Sequence, residues 1–402
     1  MESITLLTIC VAWFFHLLLL FGISKILSRE VVGMKVVGVL YLFYTAPFLV
    51  PFKYKFFEAN INYQPTLMTM VFCILADLFF IFCIHSTRKI EPLKIDVKVG
   101  EQALFTISTL AFVIHCVMNH QLFLLSKNEY IAADKFNNLV FLSIPAEAFI
   151  LGYFFSKEKR GYIVWLSTIC AVGLSFFLGY RHLIFFIILY FIFNRWKRCG
   201  IILPFLIMTL FGELSNVIKN LIFALVTVDG FDYNSYFDFV FHSSDGFSIL
   251  SSEQKAIVSN FHLGFPGADL SNAFPDLLNL FPLGSRLLEG SDTSVATRLG
   301  VLMGVGTGQG TAYGYLLFLI ESSFLALIFF FITVYFVRIF EKSIFCLMAW
   351  LLFFSLMRDS AGYYASQLKM MALSFIFVIV LNSLLKWVRN SLKGQRVSAV
   401  SK

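Results

Sequence analysis

Charge is what this chain has least of. Of 402 residues only 14% are Asp, Glu, Lys or Arg, against 59% hydrophobic, and the mean hydropathy is +0.82. Soluble globular chains carry about 25% charge, so a water-soluble fold is excluded. Cysteine pairing is missing as well. Cys10, Cys73, Cys83, Cys116, Cys170, Cys199 and Cys346 fall in apolar runs or at a helix end. No CxxC or Cys/His spacing occurs, so neither a disulfide framework nor a metal site is implied. The first apolar run lacks a basic leader and a small-residue cleavage site, and is expected to be an uncleaved first span rather than a signal peptide. There is no internal repeat, no low-complexity segment and no pair of comparable halves. The net charge of +7 is not a nucleic-acid signal, because it resolves into an asymmetry between loops.

What fills the chain instead is apolar runs. A helix needs roughly 20 apolar residues to cross the hydrocarbon core. Runs of that kind lie at 4–23, 31–51, 67–85, 103–125, 139–155, 162–179, 183–194, 200–224, 311–337, 344–357 and 364–385. The expected fold is an all-α polytopic membrane protein of about 11 transmembrane helices (10–12), with 183–194 the shortest run. With an external N-terminus, 20 of the 31 Lys and Arg fall on the inner side, in clusters such as Lys25–Arg29–Lys35, 157–160 and 195–198. The positive-inside rule then puts the C-terminus in the cytoplasm. The basic tail after Trp387 is expected to fray against anionic headgroups.

One long segment, 227–310, is neither a span nor a short turn. It holds eleven of the 24 glycines, three of the nine prolines, nine acidic residues, and aromatics throughout. Connections this long are usually functional or disordered, and its aromatics let it pack. The charge rule makes it external. The reading is one polytopic domain, 1–402, with this loop capping a site at the outer face.

Ionisable residues inside spans are functional candidates by default. Asp77 and Glu147 each stand alone in a span and read as buried hydrogen bonds between helices, with a site as the alternative. In the eighth run Thr209, Glu213, Asn216 and Asn220 fall at i, i+4, i+7 and i+11, one polar face of a helix. In the ninth, Gly310, Gly314 and Glu321 answer at i, i+4 and i+11, with a GxxxG spacing that permits close approach. The two faces read as a cavity wall beneath the loop, or else as a structural polar seam.

Arginine on the outer face is the sharper signal, since positive-inside statistics disfavour it. Arg181 lies in the tight turn Gly179–Tyr–Arg–His182, Arg286 in Phe281–Pro–Leu–Gly–Ser–Arg286, Arg298 in an apolar run, and Arg358 at the outer end of the tenth run. A guanidinium keeps its proton and matches phosphate oxygens with a rigid fork of donors. Four of them suit a lipid diphosphate headgroup; a local Arg358–Asp359 ion pair or simple headgroup contact is the alternative. His182, His242 and His262 are external and able to act as bases, although a loop histidine is more often a surface residue. The run Gly304–Val–Gly–Thr–Gly308–Gln–Gly310 lacks the Lys–Ser/Thr ending of a nucleotide loop. Its N–H groups can still form a nest for an anion or a sugar.

These features resemble a bacterial oligosaccharide repeat-unit polymerase of the O-antigen polymerase (Wzy) type. The resemblance rests on eleven or so spans with one large periplasmic loop late in the chain. Locally it rests on Leu178–Gly179–Tyr180–Arg181, similar to the family's Gly-x-Arg turn, on Asn279–Leu–Phe–Pro282 before Arg286, and on the glycine run leading to Glu321. Tyr180 stands where the family commonly has a small residue. The resemblance implies a C-type membrane glycosyltransferase of the bacterial inner membrane, acting on its periplasmic face without metal or cofactor. It would transfer a growing glycan from undecaprenyl diphosphate to the non-reducing end of another lipid-linked repeat unit. Arg181, Arg286 and Arg298 would stabilise charge developing on the leaving diphosphate, and Glu321 would take the acceptor's proton. His182, Glu213, Asn216, Asn220, Arg358, Gly308 and Gly310 would hold substrate. The implied partners are the undecaprenyl-diphosphate-linked oligosaccharide and membrane lipid, with a chain-length regulator protein as a further candidate and no nucleic acid.

Two other classes compete. A lipid-linked oligosaccharide flippase should show two halves and charges spread through a central cavity. An O-antigen ligase should show a His-centred motif, which is not found. A membrane acyltransferase needs a His or a His/Asp pair inside the bundle, and His16, His85 and His115 have no nearby carboxylate in sequence.

Overall fold

The apolar runs fold as helices because a backbone in lipid must satisfy its hydrogen bonds internally. In the computed structural model the described residues are 2–45, 63–93, 98–118, 143–157, 160–177, 182–210, 319, 323–358 and 361–400. Among them there are helices and no strand. They are α1 (Glu2–Leu27), α2 (Val32–Thr45), α3 (Tyr63–Thr87), α4 (Lys98–Met118), α5 (Ser143–Ser156), α6 (Tyr162–Phe177), α7 (His182–Arg195), α8 (Ser323–Ile339), α9 (Cys346–Arg358) and α10 (Ala361–Val400). Residues 202–210 are helical as well. The described residues are thus built from apolar helices, as a membrane-embedded protein is.

Helix starts follow local chemistry. Pro65 and Pro145 each sit in the first turn of α3 and α5, where the missing N–H has no intrahelical partner to lose. Pro204 does the same at the start of 202–210. The segments Leu7–Leu27, Met70–Thr87, Lys98–Met118 and Tyr364–Val388 are long and apolar enough to cross a membrane. The other apolar helices are shorter: α7 has 14 residues, about 21 Å at 1.5 Å per residue, less than the roughly 30 Å of a hydrocarbon core. The tail differs from expectation. It continues α10 without a break to Val400, because extending an existing helix avoids the cost of nucleating a new one.

Lipid-facing stripes are visible in the exposures. On α1, Leu7, Val11, Phe14, Leu18 and Phe21 are exposed, whereas His16, Leu20, Ile23 and Leu27 are buried. Both sets step by three or four residues, the two opposite faces of one helix. An apolar exposed stripe of this length has no place on a soluble monomer.

The chain divides into two compact units, 1–89 with 192–335 and 352–367, and 90–191 with 336–351 and 368–402. In the first, α1 packs along α3, and Tyr41, Phe80, Phe330 and Phe353 form a ring cluster with centroids 4.6–6.3 Å apart. In the second, α5 is buried along 146–155. Its Tyr153 stacks on Phe105 at 4.6 Å, and Phe154 meets Trp165 edge-on at 4.8 Å.

Candidate functional site

Two buried polar centres stand out, one in each unit. In the first unit, Asp77 of α3 lies on the helix face that turns into the protein, with Cys73 and Phe80 one turn to either side. Its carboxylate accepts a hydrogen bond from the Tyr41 hydroxyl of α2 at 2.7 Å through Oδ1. Through Oδ2 it bonds Nδ1 of His16 on α1. All three side chains are fully buried. When the carboxylate is ionised it is acceptor-only, and in a neutral imidazole Nδ1 then carries the hydrogen and Nε2 the lone pair. Nε2 is buried and has no hydrogen-bond partner among the described residues. Leaving such an atom unmatched costs about 1–3 kcal/mol.

In the second unit, Glu101 opens α4 and is buried. Its Oε2 receives Lys157 Nζ at 3.2 Å, and its Oε1 receives the backbone N–H of Ile344, also at 3.2 Å. Gly152 of α5 lies directly against the Ile344 carbonyl, where a side chain has no room, and Cys346 donates its thiol to the Gly152 carbonyl at 3.6 Å. Next to Glu101, the Gly100 N–H donates to Asn382 of α10 at 3.2 Å. Arg160 sits nearby in sequence, donating to the Phe154 carbonyl at 2.7 Å and to the Tyr190 hydroxyl at 2.6 Å, with its guanidinium over the Phe154 ring. This centre ties helix ends together. Every polar atom named in it meets a protein partner, which is the arrangement of a structural tie.

Most sequence-derived site residues lie outside the described residues: Arg181, Glu213, Asn216, Asn220, Arg286, Arg298, Gly308, Gly310 and Glu321. His182 is the first residue of α7 and Arg358 the last of α9. Arg181 therefore falls in the four residues separating α6 from α7, and two residues separate α9 from α10. Thr209 bonds its own chain, Oγ1 to the Phe205 carbonyl at 3.0 Å. Asp77 bonds across helices as expected, and Glu147 is buried on α5. His16 has no nearby carboxylate in sequence; its partner comes from 61 residues away, brought to it by the packing of α1 on α3. The only sequence signal was that each is the lone ionisable residue deep in its own apolar run.

No protein-family model, no curated protein and no solved structure matches this chain.

Proposed function

We propose that the chain polymerises lipid-linked oligosaccharide repeat units. It would transfer the growing glycan from undecaprenyl diphosphate to the non-reducing end of a second lipid-linked unit, at the periplasmic face of a bacterial inner membrane. The observation that carries this is the placement of arginine at short connections between apolar helices. Arg181 lies in the four residues joining α6 to α7, and Arg358 ends α9 two residues before α10 begins. By the charge rule both turns face outward, against the positive-inside bias. Headgroup level is where a lipid diphosphate lies, and a guanidinium fork fits its oxygens. The apolar runs give about eleven crossings, and the charge rule then gives a cytoplasmic C-terminus and an external 227–310 loop carrying Arg286 and Arg298.

The test is deletion of the gene followed by gel analysis of the surface polysaccharide. Collapse of the ladder to a single repeat unit supports polymerisation. Total loss of the polysaccharide points to a flippase or a ligase. The His16–Asp77 pair favours a second reading, a membrane acyltransferase, in which an imidazole steered by a carboxylate accepts a proton from an alcohol. In that case deletion leaves the ladder intact and removes acyl groups from it.

A further inference from the structure

The His16–Asp77–Tyr41 cluster has more chemistry than an interhelical bridge requires. A bridge from α3 to α1 and α2 needs two donors to the carboxylate, and hydroxyls or an amide would supply them. Here one donor is an imidazole whose second nitrogen, Nε2, is buried without a hydrogen-bond partner among the described residues. From this geometry we propose that His16, Asp77 and Tyr41 form a proton-binding site inside the first unit, with His16 Nε2 as the atom that takes up and releases the proton.

The charge account is simple. With Nε2 bare, the imidazole is neutral and the carboxylate leaves one uncompensated negative charge in a buried place. A proton arriving at Nε2 makes an imidazolium beside the carboxylate, and the pair becomes neutral overall. The proton comes from solvent and returns to it, so no bond to carbon changes and no other reactant is needed. Tyr41 holds Oδ1 at 2.7 Å, which keeps Oδ2 aimed at Nδ1 and reserves Nε2 for the exchange.

Among the described residues the surroundings supply no competing charge. On α2, Lys35 is turned away and donates to the Lys197 carbonyl. Glu30, ahead of α2, pairs with Arg88 at 3.5 Å. On α3, Cys73 is a buried thiol one turn before Asp77, and His85 lies two turns beyond on an exposed position. On α1 the further thiol is Cys10. From α8 and α9 the cluster is met by the rings of Phe330 and Phe353 around Tyr41 and Phe80. The phenol of Tyr364 on α10 is engaged with Thr333 of α8 at 2.8 Å. Among the described residues, the charge of this cluster is therefore set within the His16–Asp77 pair, where Nε2 is the unpartnered position.

The experiment uses the full chain in lipid nanodiscs with 15N-labelled histidine, followed by nuclear magnetic resonance across the range in which imidazoles change charge. The His16 signals are identified by their loss in His16→Gln. In the wild type, Nε2 is expected to pass reversibly between protonated and bare states while Nδ1 stays protonated. In Asp77→Asn the midpoint should move and the fixed tautomer should be lost. If Asp77→Asn does not fold, Tyr41→Phe, which keeps the ring and removes one donor to the carboxylate, should still move the midpoint. A His16 Nε2 that holds one state throughout overturns the proposal. So does a midpoint unmoved in whichever of the two carboxylate-side variants folds.

Discussion

Replacing Glu101 separates the two jobs its carboxylate does. Oε1 takes the backbone N–H of Ile344, a residue with no exposed surface. Oε2 takes Lys157 Nζ, whose side chain is 27% exposed. Glu101→Ala removes both acceptors and leaves the Ile344 N–H buried and unpaired, a cost of about 1–3 kcal/mol. The part-buried ion pair adds no more than about 1 kcal/mol, so the alanine variant should lose about 1–4 kcal/mol in all. Glu101→Gln keeps an acceptor for Ile344 and gives up only the ion pair. Lys157 then rests on the face of Tyr153, over which its ammonium already lies at 4.7 Å. The glutamine variant should lose about 1 kcal/mol or less. The purified chain in mild detergent, titrated with a denaturing detergent, gives the measurement. Trp350 reports on this unit because it packs on Phe155 at 5.2 Å and Phe186 at 5.9 Å. Equal losses for glutamine and alanine would refute the reasoning, since the backbone N–H would then not be the main term. A loss below 1 kcal/mol for alanine would show that the tie does not hold the unit.

Gly152→Ala should cost about 1–3 kcal/mol or more in the same titration, because the new Cβ meets the backbone carbonyl of Ile344, which cannot step aside. Gly173→Ala on α6, where a Cβ meets nothing within 4 Å, should be neutral or stabilising by up to about 1 kcal/mol; similar losses at both positions would remove the steric account. A cysteine at Ser252 should react with a membrane-impermeant maleimide in whole cells, above the parent chain's own labelling, while one at Ser156 should not, and the opposite pattern overturns the orientation. Arg181→Ala should abolish polymer at normal protein level, since losing one contact to developing negative charge costs about 10²–10³ in rate. Arg181→Lys should retain only a residue of polymer because the bidentate fork is gone. Long polymer from the lysine variant would mean that Arg181 anchors its turn at the headgroups, where lysine reaches equally well.

The helices were legible because lipid imposes one pattern per element. An apolar run must satisfy its own backbone, so composition alone locates α1 and α3 within about four residues at each end and marks where α4 and α10 lie. The starts of α3 and α5 are marked by Pro65 and Pro145 in their first turns. The end of α10 was not. Residues 389–400 are polar and basic, which in sequence looks like a tail leaving the membrane. Polarity ends a span without ending a helix, and no proline or paired glycines interrupt this stretch, so the helix carries on to Val400.

The buried polar centres depended on pairing across distance, which periodicity does not encode. Asp77 could be read as buried, yet its partner could not be chosen among the lone polar residues of other runs. Only the packing of α1 on α3 selects His16 over His115, and only the arrival of α2 brings Tyr41. Glu101 was harder still. One of its partners is a backbone N–H at Ile344, 243 residues away, and a backbone amide leaves no mark in a sequence. The physical rule that does transfer is charge compensation. An ionisable side chain in an apolar run has to find a hydrogen-bonded partner, or change its charge. Glu101 follows the first course with Lys157 and Ile344. Asp77 follows it too, but its partner His16 carries one nitrogen more than the bond requires, and at that nitrogen the second course stays open.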